Sequence, residues 1–153
     1  MPQILPIRGA RSAPPTSNTA PTSHPMIHHL SLAVTDLNRS AAFYDAALGA
    51  LGYERTLSYP DVTGWGFIDN GDIFSIRLRP GEKIMSGDGF HLAFIGRSHA
   101  AIDNFYQAAL AHGGGDNGGS GLNPEYGPDY YAAFVFDPDG YRIEAVISPH
   151  SHA

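Results

Sequence analysis

The chain has no cysteine and only one lysine among its 153 residues. Without cysteine, neither a disulfide framework nor a thiolate metal site can form, so histidine or carboxylate side chains must hold any metal. The formal net charge of -6, without a basic cluster, leads us to expect no nucleic-acid partner. No apolar run approaches the roughly 20 residues that cross a bilayer, so we expect a soluble, cytoplasmic protein without membrane contact.

The N-terminal segment at residues 1–25 differs in composition from the rest of the chain. It holds half of the prolines, many serine and threonine residues, and no acidic residue. This composition predicts a disordered extension, and its apolar piece is too short for a signal peptide. We predict one domain at residues 26–149, followed by a short tail at 150–153.

An internal repeat begins near Met26. The segment HLSLAVTDLNRSAAFYDAALGALG at residues 29–52 aligns without gaps with HLAFIGRSHAAIDNFYQAALAHGG, which lies 62 positions later at residues 91–114. Both copies begin with histidine and share an FYxAAL core. One fixed offset over this length indicates two equivalent structural modules, which we place at about residues 26–80 and 88–149.

Each copy has the pattern of a strand, a helix and further strands. HHLSLAV and FHLAFIG alternate with period two, and helical spacing follows capping residues at Thr35 and Ser98. β-rich runs then surround the turn sequences DNGD and DPDG. The sequence therefore predicts an α+β fold of two tandem βαβββ modules.

Two histidines and one glutamate are candidate metal ligands. Strand alternation places His29 and His91 on the sheet face with the smaller residues, at equivalent repeat positions, and gives Glu144 the same face as Arg142. Strand histidines are commonly core or edge residues, and Glu144 could pair with Arg142. The coincidence of equivalent histidines and the cost of burying an unpaired carboxylate favour a divalent ion between them. The other histidines are interpreted as surface residues, with His28 on the opposite face: His28, His99, His112, His150 and His152.

The segments MIHHLSLAVTDLNRSAAFYDAALGALGY, FHLAF and DPDGYRIEAV resemble those of the vicinal oxygen chelate superfamily. This superfamily includes glyoxalase I, extradiol dioxygenases and bleomycin resistance proteins. The resemblance implies mixed sheets that curl around a metal-binding cavity, with His29, His91 and Glu144 as ligands of one Fe2+, Zn2+, Ni2+ or Mn2+ ion. It also implies a small oxygenated substrate chelated by the ion, and it is compatible with a homodimer.

Two members of the superfamily differ from this chain at informative positions. Glyoxalase I resembles the chain but uses a further glutamate in its first module, and aligning Gly71 with Gly140 places Ser75 opposite Glu144. The extradiol dioxygenase pattern places a histidine and then a tyrosine before its turn, whereas Phe134 has the tyrosine's place here. Both differences argue against a direct assignment to either enzyme.

The prediction is a metal-dependent, glyoxalase-like enzyme of the lyase or isomerase type. The alternatives are an extradiol-type dioxygenase, a ligand-binding protein of the bleomycin resistance kind, and a structural module. Tyr126 and Tyr130 are weak catalytic candidates because they flank a glycine-rich loop that could close over a substrate. Trp65, Phe67 and Tyr131 are weak candidates for substrate contact, since aromatic residues on such strands more often pack in the core.

Overall fold

The computed structural model describes residues 27–67, 71–84 and 87–147, with the backbone alone at positions 71 and 72. The predicted extension at residues 1–25, the tail at 150–153 and the first half of the DNGD turn lie outside the described residues. Within the described ranges, no helix is long and apolar enough to span a membrane.

The order of helices and strands confirms the α+β class. The first module contains β1 (Leu30–Val34), α1 (Leu37–Ala50), β2 (Glu54–Tyr59), β3 (Val62–Phe67) and β4 (Gly71–Leu78). The second contains β5 (Leu92–Ile95), α2 (His99–Ala111), β6 (Gly115–Asp116), β7 (Gly121–Leu122), β8 (Tyr131–Phe136) and β9 (Arg142–Ile147). The second module thus has two short strands, β6 and β7, where the first has the single strand β2.

The described strands form two mixed sheets and no closed barrel. Their orders are β1-β4-β3-β2 and β5-β9-β8-β6, with β7 also pairing with β8. The first strand of each module pairs in parallel with the last, which places Ser31 opposite Ser75 and Ala93 opposite Glu144. Because Ser31 and Ala93 are equivalent repeat positions, Ser75 is the counterpart of Glu144, as the sequence alignment predicted.

The two helices begin at capping side chains. Ser98 caps α2 by accepting a hydrogen bond from the backbone N–H of Ala101, as predicted. The cap of α1 is Asp36, so the prediction of Thr35 was wrong by one residue. The hydroxyl of Thr35 instead donates to Asp139 of the second module, at 2.5 Å.

A joint between the modules surrounds the DPDG turn that connects β8 and β9. The buried Tyr44 hydroxyl of α1 donates to the Asp137 carboxylate at 2.7 Å. The Tyr141 hydroxyl donates to the carbonyl of Ala33 at 2.8 Å, and Arg39 forms an ion pair with Asp139. The turn of the second module is therefore bound to the first strand and helix of the chain, and both modules share one apolar core.

Candidate functional site

The centre of the candidate site is the carboxylate of Glu144 on β9. Only 3% of this residue is exposed, although an isolated carboxylate is costly to bury. Its Oε2 lies 2.5 Å from Nε2 of His91, whose own side chain is 49% exposed. His91 immediately precedes β5, the strand that pairs with β9, so the parallel pairing brings the imidazole to the carboxylate.

Tyr130 contacts the other oxygen of the same carboxylate. Its hydroxyl donates to Oε1 of Glu144 at 2.6 Å. Burial, as the larger cause, and the hydrogen bond to Glu144, as the smaller, raise the pKa of Tyr130 well above its usual range. This phenol therefore remains a proton donor at neutral pH. Tyr130 ends the glycine-rich segment just before β8, and the ring of Tyr126 lies 5.3 Å from its ring. Of the two tyrosine candidates, Tyr130 contacts the carboxylate directly.

Arg142 does not form the ion pair with Glu144 that the sequence left open as an alternative to metal binding. Its guanidinium forms an ion pair with Asp88 and lies 5.4 Å from the centre of the Phe136 ring. The partners of Glu144 in the described part of the chain are His91 and Tyr130. Phe134, which is opposite Glu144 in the pairing of β8 with β9, lies edge-on to the His91 ring.

His29 lies apart from this group. It is exposed, and its Nδ1 is 2.8 Å from Nδ1 of His28. The prediction that alternation separates these two side chains was wrong, because strand pairing begins only at Leu30, after both residues. Across residues 27–67, 71–84 and 87–147, no three histidine or carboxylate side chains form a cluster that could hold a metal. The ligand set of His29, His91 and Glu144 therefore stays a prediction.

The equivalent position in the first module has no charge. Ser75 is 1% exposed, and its hydroxyl lies 2.7 Å from that of Ser31 on the neighbouring strand. Either hydroxyl can be the donor, so the two residues form one neutral hydrogen bond. The first module thus lacks the additional carboxylate that the comparison with glyoxalase I required.

The residues around Glu144 match part of a metal site. An imidazole nitrogen and a carboxylate oxygen are donors that Zn2+, Fe2+, Ni2+ and Mn2+ accept, and the two atoms point at each other. Tyr130 also orients the carboxylate from its other oxygen, as outer partners of metal ligands do. One chain thus brings together two of the three predicted donors, His91 and Glu144, and the third, His29, lies outside this pair.

The aromatic candidates fall in two places. Trp65, whose indole N–H donates to Asp45 at 2.9 Å, lines an apolar cavity of about 430 Å³ together with Phe67. Tyr131 lies elsewhere, stacked on His99 with a centroid distance of 3.9 Å, and it donates to Asp103 of α2. Because Phe134 is opposite Glu144, alternation along β8 already places Tyr131 on the other face.

Comparison with known proteins gives consistent matches. Residues 26–145 match the Glyoxalase/Bleomycin resistance protein/Dioxygenase superfamily. A protein from Vibrio parahaemolyticus named "Probable lactoylglutathione lyase" is 30% identical over 141 residues, which cover 86% of this chain and 96% of that protein.

Solved structures give the same result for the fold. A glyoxalase/bleomycin resistance protein from Albidiferax ferrireducens superposes with a TM-score of 0.70 at 31% sequence identity. The match covers 82% of this chain and 100% of that protein's chain. A glyoxalase-related enzyme from Fulvimarina pelagi has a TM-score of 0.61 at 23% identity, covering 78% of this chain and 86% of that one.

Proposed function

Because the chain belongs to the Glyoxalase/Bleomycin resistance protein/Dioxygenase superfamily, we propose that it is a metal-dependent, glyoxalase-like enzyme of the lyase or isomerase type. Its substrate is a small oxygenated molecule. The observation that carries this proposal is the buried carboxylate of Glu144, held between His91 and Tyr130. A buried carboxylate with an imidazole at one oxygen and a phenol at the other is suited to bind a metal ion. A purely structural role would not require this arrangement.

The metal site is completed between two chains. His91 and Glu144 of one chain would supply two donors to the ion, and His29 of the partner subunit would supply the third. Support comes from the exposure of His29 and of half the His91 side chain, which leaves both accessible to a second copy. A divalent ion held there would supply Lewis-acid chemistry to the oxygenated substrate.

The chain's own side chains prepare this position. Tyr130 keeps its proton and fixes Oε1 of Glu144, which leaves Oε2 directed at His91. Phe134 lies edge-on to the imidazole, with 6.1 Å between the ring centroids. These contacts hold a charged group in a fixed orientation before any substrate arrives, which is the arrangement that electrostatic catalysis requires.

The substrate differs from the one in the name of the Vibrio relative. A lyase of the glyoxalase I kind resembles this chain but uses a second carboxylate where Ser75 stands. Ser75 is buried and bonded to Ser31, so it cannot replace that carboxylate as a proton acceptor. Glu144 is thus the one carboxylate among the proposed site residues, and the reaction is one that needs no second carboxylate.

Metal content and subunit mixing test the proposal. Protein purified without added metal should contain about one divalent ion per chain, whereas E144Q and H29A should each contain little. Mixing refolded H29A with E144Q should restore about a quarter of the parent's metal sites. About half of the random dimers contain one chain of each variant, and one of the two sites in such a dimer has all three ligands. Ser75→Ala, which changes no proposed ligand, is the matched control and should keep its metal.

Three results would contradict parts of this picture. Metal retained in both E144Q and H91A would remove Glu144 and His91 from the site. Full metal binding by a monomer would remove the sharing between chains, while leaving the enzyme proposal intact. Iron as the native ion would favour the dioxygenase alternative over an isomerase or lyase.

A ligand-binding protein without catalysis is the second candidate. The apolar cavity beside Trp65 and Phe67 favours it, because such a cavity can enclose a hydrophobic ligand without any metal. Elemental analysis separates the two candidates, since a protein of this second kind would contain no bound ion and would show no loss of function in E144Q.

A further inference from the structure

Two adjoining cavities form one groove at the junction of the modules. Their volumes are about 430 Å³ and about 450 Å³, and both are lined by Tyr53, Phe67 and Ile95. The first extends along the start of β1 and along β5 to the indole of Trp65, and the second ends at Arg97. Shared walls make the two cavities a single continuous binding surface, which we name the junction groove.

The junction groove has almost entirely apolar walls. Besides the three shared residues, the cavity of about 430 Å³ is lined by aliphatic and aromatic side chains: Ile27, Leu30, Leu48, Trp65, Ile73, Phe74, Leu92, Ala93 and Phe94. Ile95 is 47% exposed and Ile27 is 65% exposed, so the groove presents an apolar surface on the outside of the protein. Apolar clefts lined by aromatic residues with a few polar groups are the usual form of small-molecule sites.

Arg97 places one positive charge at the end of this apolar surface. Its guanidinium carbon lies 5.2 Å from the centre of the Phe67 ring. Within the described residues, no carboxylate lies close enough to Arg97 for an ion pair, although five other ion pairs involve arginine. A guanidinium with free donors binds a carboxylate in two-point geometry.

We propose that the junction groove binds an apolar molecule that carries a single terminal carboxylate, such as a medium-chain fatty acid. The hydrocarbon body lies against Phe67, Ile95 and Trp65, and the carboxylate pairs with Arg97. Charge complementarity selects this chemistry over a neutral hydrophobe. The inference is independent of the proposed metal chemistry, because neither His91 nor Glu144 lines the groove.

Trp65 provides a direct readout, since it is the one tryptophan of the chain and lies in the wall of the groove. Titration with octanoate should change its fluorescence along a saturable curve, whereas acetate should not. Octanol tests the hydrocarbon part alone and should bind more weakly than octanoate in the parent protein.

Arg97→Gln keeps a polar side chain of similar reach and removes the charge. It should weaken octanoate binding roughly fivefold, as expected for a charge pair near the surface, and leave octanol binding unchanged. Arg77→Gln removes an equal charge from β4, away from the groove, and should leave the binding of both ligands unchanged.

Ile95→Asp introduces a negative charge between the apolar wall and Arg97. It should abolish the response to octanoate, and thermal melting would verify that the variant is folded. Three results would overturn the proposal: no saturable response to octanoate, equal octanoate affinity in R97Q and the parent, or dimer dissociation in I95D without any ligand response. The last result would instead identify the groove as a contact between two copies.

Discussion

The two modules place different chemistry on the same backbone position. In the first module, Ser75 is buried against Ser31 and the pair is neutral. In the second, Glu144 occupies the equivalent position opposite Ala93, with His91 and Tyr130 on its two oxygens. The parallel pairing of the first strand with the last is the same in both modules, so the difference at this position lies in the side chains and in what surrounds them.

The comparison shows what a buried charge requires from its surroundings. The small Ala93 leaves the strand next to Glu144 without a competing polar group, while an imidazole and a phenol provide two hydrogen bonds. Ser75 carries no charge, and its hydroxyl forms a hydrogen bond with one hydroxyl on the adjacent strand. A duplicated fold can thus keep one neutral position and develop chemistry at the other, provided that the partners change together with the charge.

The largest effect is expected when a carboxylate is added to the neutral module. Ser75→Glu would bury a charge next to Ser31, without an imidazole or a phenol in contact, and should lower the free energy of unfolding by about 3 to 5 kcal/mol. Urea denaturation measures this change. Ser75→Ala is the control and should cost about 1 kcal/mol, from one lost hydrogen bond. Unchanged stability in S75E would show that the first module also has room for a charge.

The converse exchange should remove metal binding and preserve the fold. The double variant Ala93→Ser with Glu144→Ser recreates in the second module the serine pair of the first. We expect metal affinity to fall by at least about 100-fold, since removal of an outer partner alone costs 10- to 100-fold. Calorimetric titration gives the affinity and circular dichroism the fold. Parent-like affinity would mean that the metal lies elsewhere.

A smaller effect is expected when Tyr130 loses its hydroxyl. Tyr130→Phe removes the hydrogen bond to Oε1 of Glu144 and keeps the ring, so metal affinity should fall about tenfold. Tyr126→Phe is the matched control, because within the described residues that exposed side chain contacts the Tyr130 ring and its hydroxyl makes no hydrogen bond. The same titration compares both variants. An equal loss of metal affinity in both variants would indicate that each substitution disturbs the loop in general, and that the Tyr130 hydroxyl does not orient Glu144.

The smallest effect concerns the joint between the modules and its dependence on pH. Burial raises the pKa of Asp137, although hydrogen bonds from Tyr44 and from two backbone N–H groups oppose the shift, and the charge of Asp139 adds to it. The folded state therefore binds this proton more tightly than the unfolded state. The resulting stability is present below the unfolded pKa and is lost as pH rises through the folded pKa.

Asp137→Asn removes that titration and keeps the shape of the side chain. Its oxygen can accept the backbone hydrogen bonds, and its amide can donate to Tyr44. The stability of D137N relative to the parent should therefore increase as pH rises from about 4. Unfolding free energies of both proteins over this range measure the change. A difference that does not vary with pH would mean that Asp137 titrates alike in both states.

Much of the fold was predictable because it repeats. A gapless offset of 62 residues and period-two strands were enough to predict two modules and to make Ser75 the counterpart of Glu144. The error at the cap of α1 arose because Thr35 and Asp36 both suit a helix start. Sequence alone does not show that Asp139, about a hundred residues away, binds the threonine.

The partners of Glu144 were only partly predictable. Pairing of β5 with β9 follows from the module topology and brings His91 close, whereas Tyr130 comes from a loop with no counterpart in the repeat. Arg142 shared a face with Glu144 by alternation, but its long side chain reaches Asp88 instead. Strand patterns therefore predict faces, while the contacts of flexible or loop-borne side chains depend on the packed structure.

The joint at the DPDG turn has a consequence for synthesis on the ribosome. Tyr44 leaves the ribosome early, but its partner Asp137 follows 93 residues later. At a translation rate of about 5 to 20 residues per second, the gap lasts roughly 5 to 20 seconds. During that time the Tyr44 hydroxyl on α1, which is buried in the folded protein, has no Asp137 carboxylate to accept its hydrogen bond. Any nascent chain that ends before the turn should therefore remain open to chaperones, however complete its first sheet is.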